Sequence, residues 1–224
     1  MGKSDVAQTK KVEIRQAILD AAYQLFSKHG YSETNITDIA RSAGVAPANL
    51  YVYFPSKLGI LFSIYGPWLT RQFDDLEKSL LRVRDPRQRL QKILTMVWRD
   101  IPSADNGFAN NMMQAISTTT VREGYSPALR LAIEERLAKL LDGCLLNLDH
   151  ARTRGLANIV LMAFDGYALN FHLKGGAVCP SKQLSLFADM LLNWPPAAAG
   201  RRAAAPRKRS TDRVGANGPA RAAG

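Results

Sequence analysis

Cysteine is nearly absent from this 224-residue chain, which has only Cys144 and Cys179. They lie far apart, with no histidine or further cysteine at a ligand spacing, so neither a disulfide framework nor a zinc site is expected. Histidine is just as scarce. His29, His150 and His172 are scattered, and none stands with a nucleophile and a carboxylate in an arrangement for catalysis. An enzyme is therefore not expected, nor a metal or a cofactor. Long apolar runs are missing too: nothing approaches the roughly 18 consecutive apolar residues of a membrane span. The start, Met1-Gly2-Lys3-Ser4-Asp5, is polar and has no apolar stretch behind it, so the expected location is the cytoplasm, with no membrane partner. Strand-like alternation is also lacking, and the expected fold class is all-α.

What the chain has is apolar residues, at 46%, enough for a core of this size, and a net charge of +11. The charge is unevenly spread. Residues 1–57 carry 7 basic and 5 acidic side chains, whereas residues 195–224 carry 7 and 1. The pI is thus weak evidence about where a nucleic acid would bind. From Pro195 the composition turns to Ala, Pro, Gly and Arg, which cannot offset its ordering entropy by burial, so 195–224 is expected to be a disordered basic tail. It can hold DNA loosely or be a dispensable solvated segment.

Helical signals fill the rest. Ile14, Ile18, Ala21, Ala22, Leu25 and Phe26 mark one face of a helix over 12–29, stopped near Gly30. Thr34 or Asn35 can cap a second helix running to Ser42, and Gly44 interrupts it. A third starts near Pro47 and ends by Phe54, because Pro55 cannot continue it; Ser56 caps a fourth, to about Arg82, which Gly66-Pro67 should kink or break. Further helices carry Leu90, Ile93, Leu94 and Val97, then Leu129, Ile133, Leu137, Leu140 and Leu141. A helix over 152–174 has Leu156, Ile159, Val160, Ala163 and Tyr167 on one face and Leu161, Ala168, Leu169 and His172 on another, so it is expected to be buried on several sides. The last helix has a stripe of Leu184, Phe187, Ala188, Leu191 and Leu192 that needs a partner.

Residues 36–55 have the spacing of a helix-turn-helix: small Ala40, then Gly44 for the turn, then apolar Leu50, with Val45 and Leu50 set to pack on Ile36 and Ile39. The stretch Gly44-Val45-Ala46-Pro47-Ala48-Asn49-Leu50-Tyr51-Val52-Tyr53-Phe54-Pro55-Ser56-Lys57 resembles the DNA-binding domain of TetR-type regulators, and Thr34–Arg41 and the Phe26, Gly30, Tyr31 pattern extend the likeness over roughly the first 70 residues. It departs from that family at Ala46 (usually a serine cap), at Ala48 (often glycine) and at Leu58-Gly59 (frequently Glu-Ala). The departures bear on where the third helix starts and how it touches phosphate.

Gly44 to Phe54 contains no charged residue, so the common arginine-to-guanine contact is excluded there. Asn49 is the best base reader, and Ala46 and Pro47 can touch a thymine methyl. Tyr51, Tyr53, Lys57 and Thr37 are expected at phosphates, with Arg41 at a base or phosphate, and Lys10, Lys11 and Arg15 adding charge from the N-terminal side. Thr37 can equally just support its helix, and Arg41 can be a solvated charge. Tyr51 and Tyr53, two apart, cannot both face the core.

The expected organisation is a flexible basic arm over 1–10, the helix-turn-helix domain over 11–71, a ligand-binding and dimerisation domain over 72–194, and the tail. The resemblance implies a homodimer through the last two helices, a near-palindromic double-stranded DNA operator and a small-molecule effector that releases a repressor. Material for a pocket is present in Trp98, Phe108, Asn110, Met112, Met113, Gln114, Met162, Phe164, Asp165, Tyr167 and Asn170, each of which can equally be core. Asp165 is the sharpest, because a buried carboxylate needs a partner. The alternatives are an activator of the same fold, or a ligand-sensing or protein-interaction helical module without DNA binding.

Overall fold

A computed structural model describes residues 3–104, 107–118, 126–173 and 178–193. The described residues form α1 (Lys3–Glu33), α2 (Ile36–Ser42), α3 (Pro47–Tyr53), α4 (Lys57–Leu80), α5 (Pro86–Thr95), a π-helical turn (Met96–Asp100), α6 (Phe108–Thr118), α7 (Ala128–Asp142), α8 (His150–Leu173) and α9 (Ser181–Leu192), with no strand among them. The expected tail, 195–224, lies outside the described residues.

Local chemistry accounts for most boundaries. Asn35 caps α2, its side chain accepting from Asp38 N at 2.9 Å, and Ser56 caps α4 by accepting from Gly59 N at 3.0 Å. Asp85 does the same for α5 ahead of Pro86, accepting from Gln88 N at 2.9 Å.

Three expectations are corrected. Residues 3–10 are not a flexible arm but the first turns of α1, which reaches Glu33 past a break at Gly30, where φ is 81° and ψ 168°. The fourth helix runs through Gly66-Pro67 instead of breaking: eight buried residues, from Leu58 to Leu80, anchor α4 on both sides of Pro67. At about 1.5–3 kcal/mol each, they outweigh the roughly 3 kcal/mol of an internal proline. The stripe of α9 is not left in water, because Leu184, Ala188 and Leu191 are buried and the Phe187 ring lies 4.9 Å from that of Trp98. The π-helical turn, closed by Ile101 N donating to Met96 O at 3.0 Å, carries Trp98, whose Nε1 donates to Val160 O on α8.

One continuous core runs from Ile18 and Phe26 on α1 through Leu61, Tyr65 and Phe73 on α4 to Leu94, Leu141 and Leu184. Residues 11–71 and 72–194 therefore share a core. On α8 the two apolar faces differ from the expected sets: Ala157, Val160, Leu161 and Ala168 are buried, while Ile159, Met162 and Leu169 lie open.

Candidate nucleic-acid interface and ligand cavity

The turn between α2 and α3 is built from its backbone outward. Gly44 takes a φ of 69°, a conformation that disfavours a side chain, and Val45 N then donates to Ala40 O at 2.9 Å. Ile39, Ala40 and Leu50 are fully buried and Phe54 nearly so, which clamps α3 across α2. Ala46 is the extended residue before α3 and offers no side-chain cap; Pro47 has no N–H and Asn49 N donates to Ala46 O at 2.9 Å, so only the Ala48 N–H is left for a partner at this exposed end.

That clamp turns the remaining positions outward. Thr37, Arg41, Ala46, Pro47 and Asn49 are exposed, Tyr51 is 56% and Val52 71% exposed, and Tyr53 is half-buried against the core. The expected base readers thus form one uncharged face at the start of α3. Val52, not picked out from the sequence, belongs to it and is visible only once Leu50 is known to be the buried position. Arg41 Nη1 donates to Asp38 at 3.2 Å in an exposed pair, and Arg15 lies over the Phe54 ring at 5.0 Å.

Lys57, expected at a phosphate, is held inside the chain: its Nζ donates to Tyr31 O and Thr34 O, both at 2.8 Å, and sits 4.1 Å above the Tyr31 ring. The ammonium thus adds its hydrogen bonds at the broken end of α1, where Tyr31 O also accepts from Thr34 N at 3.3 Å. Thr34, buried, donates to Gly30 O at 2.8 Å in the same knot. Gln114 closes it from α6, accepting from Ser32 N at 2.9 Å and donating to Asn110 at 3.1 Å.

A cavity of about 90 Å³ lies between α4, α6, α7 and α8, lined by Phe62, Leu69, Phe108, Met112, Ile116, Leu129, Ile133, Leu161 and Phe164, with Ser126, Arg130 and Asp165 as its polar groups. Phe108, Met112, Phe164 and Asp165 were among the expected residues. Trp98, Asn110, Met113, Gln114, Met162 and Tyr167 do not line it: Trp98 is held by α8 and α9, Asn110 and Gln114 serve the α1 junction, and Met162 is 53% exposed on the outer face of α8. The side chain of Asn170 lies outside the described residues. Asp165 has the partner that its burial demands, Arg130 Nη1 at 3.1 Å. Burial still pushes its carboxyl above the usual range, with Arg130 pulling the other way. Arg130 gave no sequence signal, because it is 35 residues away.

The described residues thus form a three-helix unit with a clamped helix-turn-helix, joined to a helical body with a cavity between its helices. Residues 18–64, which hold the helix-turn-helix, match the family model described as bacterial regulatory proteins, tetR family. The repressor KstR of Rhodococcus jostii is 36% identical over 101 residues, 44% of this chain and 46% of that protein, so the chain matches less than half the relative's length. Two solved structures share the fold: FadR of Bacillus subtilis in complex with stearoyl-CoA (TM-score 0.57, 19% identity, 80% of this chain and 97% of that one), and the TetR-family regulator PfmR of Thermus thermophilus (TM-score 0.53, 25% identity, 78% and 96%).

Proposed function

We propose that the protein is a sequence-specific DNA-binding transcriptional repressor, acting as a homodimer on a near-palindromic operator and released by a small molecule held in its helical body. The observation that carries this reading is the outward face of α3, where Pro47, Asn49 and Tyr51 stand on the buried Leu50, Ile39 and Ala40. Such a helix end fits a major groove, where an asparagine can pair with adenine. The name of the Rhodococcus relative, a repressor, and the acyl-CoA bound by the Bacillus protein point the same way.

Dimerisation is supported by the open side of α8. Gly155, Ile159, Met162, Gly166 and Leu169 recur at alternate spacings of four and three, and nothing lies within 4 Å of where a Cβ would stand on either glycine. Leu186 and Met190 give α9 an exposed apolar pair. Small residues beside apolar ones let a second copy approach closely, and a twofold dimer would set two α3 helices about 34–36 Å apart.

Release requires a link between cavity and α3, and α6 supplies one. Phe108, Met112 and Ile116 line the cavity, while Gln114 of the same helix binds the end of α1 beside Thr34 and the cap of α2. A ligand that shifts α6 would disturb that knot, and DNA and effector would oppose each other by linkage. Electrophoretic retardation of the promoter beside the gene tests the reading. Retardation by the dimer, lost on replacing Asn49 and Tyr51 together while the dimer persists, is the expected result. No retarded species with any neighbouring promoter would overturn it and leave a ligand-sensing module.

A further inference from the structure

We propose that the cavity takes a small apolar carboxylate, with its hydrocarbon part among Phe62, Phe108 and Phe164 and its carboxylate on Arg130. This rests on reading the cavity as the effector site. The lining decides the body of the ligand. Nine of its residues are aliphatic, thioether or aromatic, and a polar body would lose its hydration there without gaining partners. About 90 Å³ is less than the roughly 150 Å³ cavity that holds benzene, so a short chain fits and a longer one must part α6 from α7.

The charged pair decides the head group. Arg130 and Asp165 are each 34% exposed, which puts them between the apolar interior and water. Their contact is one hydrogen bond, from Arg130 Nη1 to Asp165 Oδ2 at 3.1 Å. A guanidinium has five N–H donors in a fork that matches a carboxylate, so Arg130 can receive a second carboxylate without releasing Asp165. A cationic head would meet the opposite situation, a carboxylate already neutralised and a guanidinium beside it.

Isothermal titration of the full chain with hexanoate, hexan-1-ol and hexyltrimethylammonium tests this. Hexanoate should bind at least tenfold more tightly than the alcohol, and the ammonium more weakly than both. Arg130→Gln should remove the tenfold advantage and leave the alcohol unchanged, and Arg130→Lys should restore part of it. If R130Q does not fold, the order of the three ligands on the unaltered chain decides alone. Preference for the ammonium, hexanoate binding unaltered in folded R130Q, or no binding of any of the three would overturn the assignment. Retardation of promoter DNA is scored separately. DNA binding without hexanoate binding sinks the ligand class and spares the regulator; hexanoate binding without DNA binding does the reverse.

Discussion

Two carbonyls at the broken end of α1 find their donors in one ammonium, that of Lys57. Replacing it with methionine keeps the stem but removes both of these hydrogen bonds, Tyr31 O keeping only the one it accepts from Thr34 N, and should cost about 1–3 kcal/mol. For a domain of this size the melting temperature falls by about 2–4 °C per kcal/mol, which calorimetry would read. Asn49 has no such internal role: it is exposed, and its amide makes no side-chain hydrogen bond among the described residues. Asn49→Ala should leave the melting temperature within about 1 °C yet cost about 1–3 kcal/mol in discrimination between operator and mutated operator. His150 joins α7 to α8, with Nδ1 at 2.7 Å from Asp142 and Nε2 at 3.7 Å from Glu135. The hydrogen bond to Asp142 and that residue's charge raise its pKa from about 6.5. A raised folded pKa means that the protonated ring stabilises fully below that ordinary value, and that the contribution fades as pH rises through the raised one. His150→Gln should therefore lower the melting temperature at pH 6 by more than at pH 8.5.

Among the elements, α6 faces two ways, toward the cavity with Phe108 and Met112 and toward α1 with Gln114. Gln114→Ala should keep effector binding while reducing the effector's power to release DNA, measurable as a smaller shift in DNA affinity on saturation with hexanoate. None of this was visible in α6 as a sequence, where Asn110, Met113 and Gln114 read as pocket material just as Phe108 did. Composition marks a residue as suited to a pocket, but only the rotation of its helix says which wall it faces. The helix-turn-helix was legible because its constraints are local: Gly44 needs a positive φ, Ala40 a close approach, and Leu50 a buried position, all within 15 residues. The internal hydrogen bonds of Lys57 were not legible because its acceptors lie 23 and 26 residues back, at a helix end whose carbonyls have no mark of their own in the sequence. Arg130 was missed for the same reason, its partner being 35 residues on.

At the scale of the whole molecule, the open stripe of α8 gives a test that separates folding from assembly. A Cβ at Gly155 meets nothing within 4 Å and the position is exposed, so Gly155→Leu should leave the monomer no less stable, and somewhat more so because glycine costs a helix about 0.5–1 kcal/mol. The dimer should nevertheless dissociate, which sedimentation would show, and operator binding should fall with it. The uncharged face of α3 has its own consequence for a complex with DNA. A recognition helix without cations displaces no counterions from the phosphates, so any fall of affinity with ionic strength must come from elsewhere, from groups such as Lys10, Lys11 and Arg41. Sequence reading and salt sensitivity then become separable quantities in one protein. Substitutions on α3 should move a plot of log affinity against log salt up or down without tilting it, and loss of a lysine on α1 should tilt it while leaving the preference for one sequence over another unchanged.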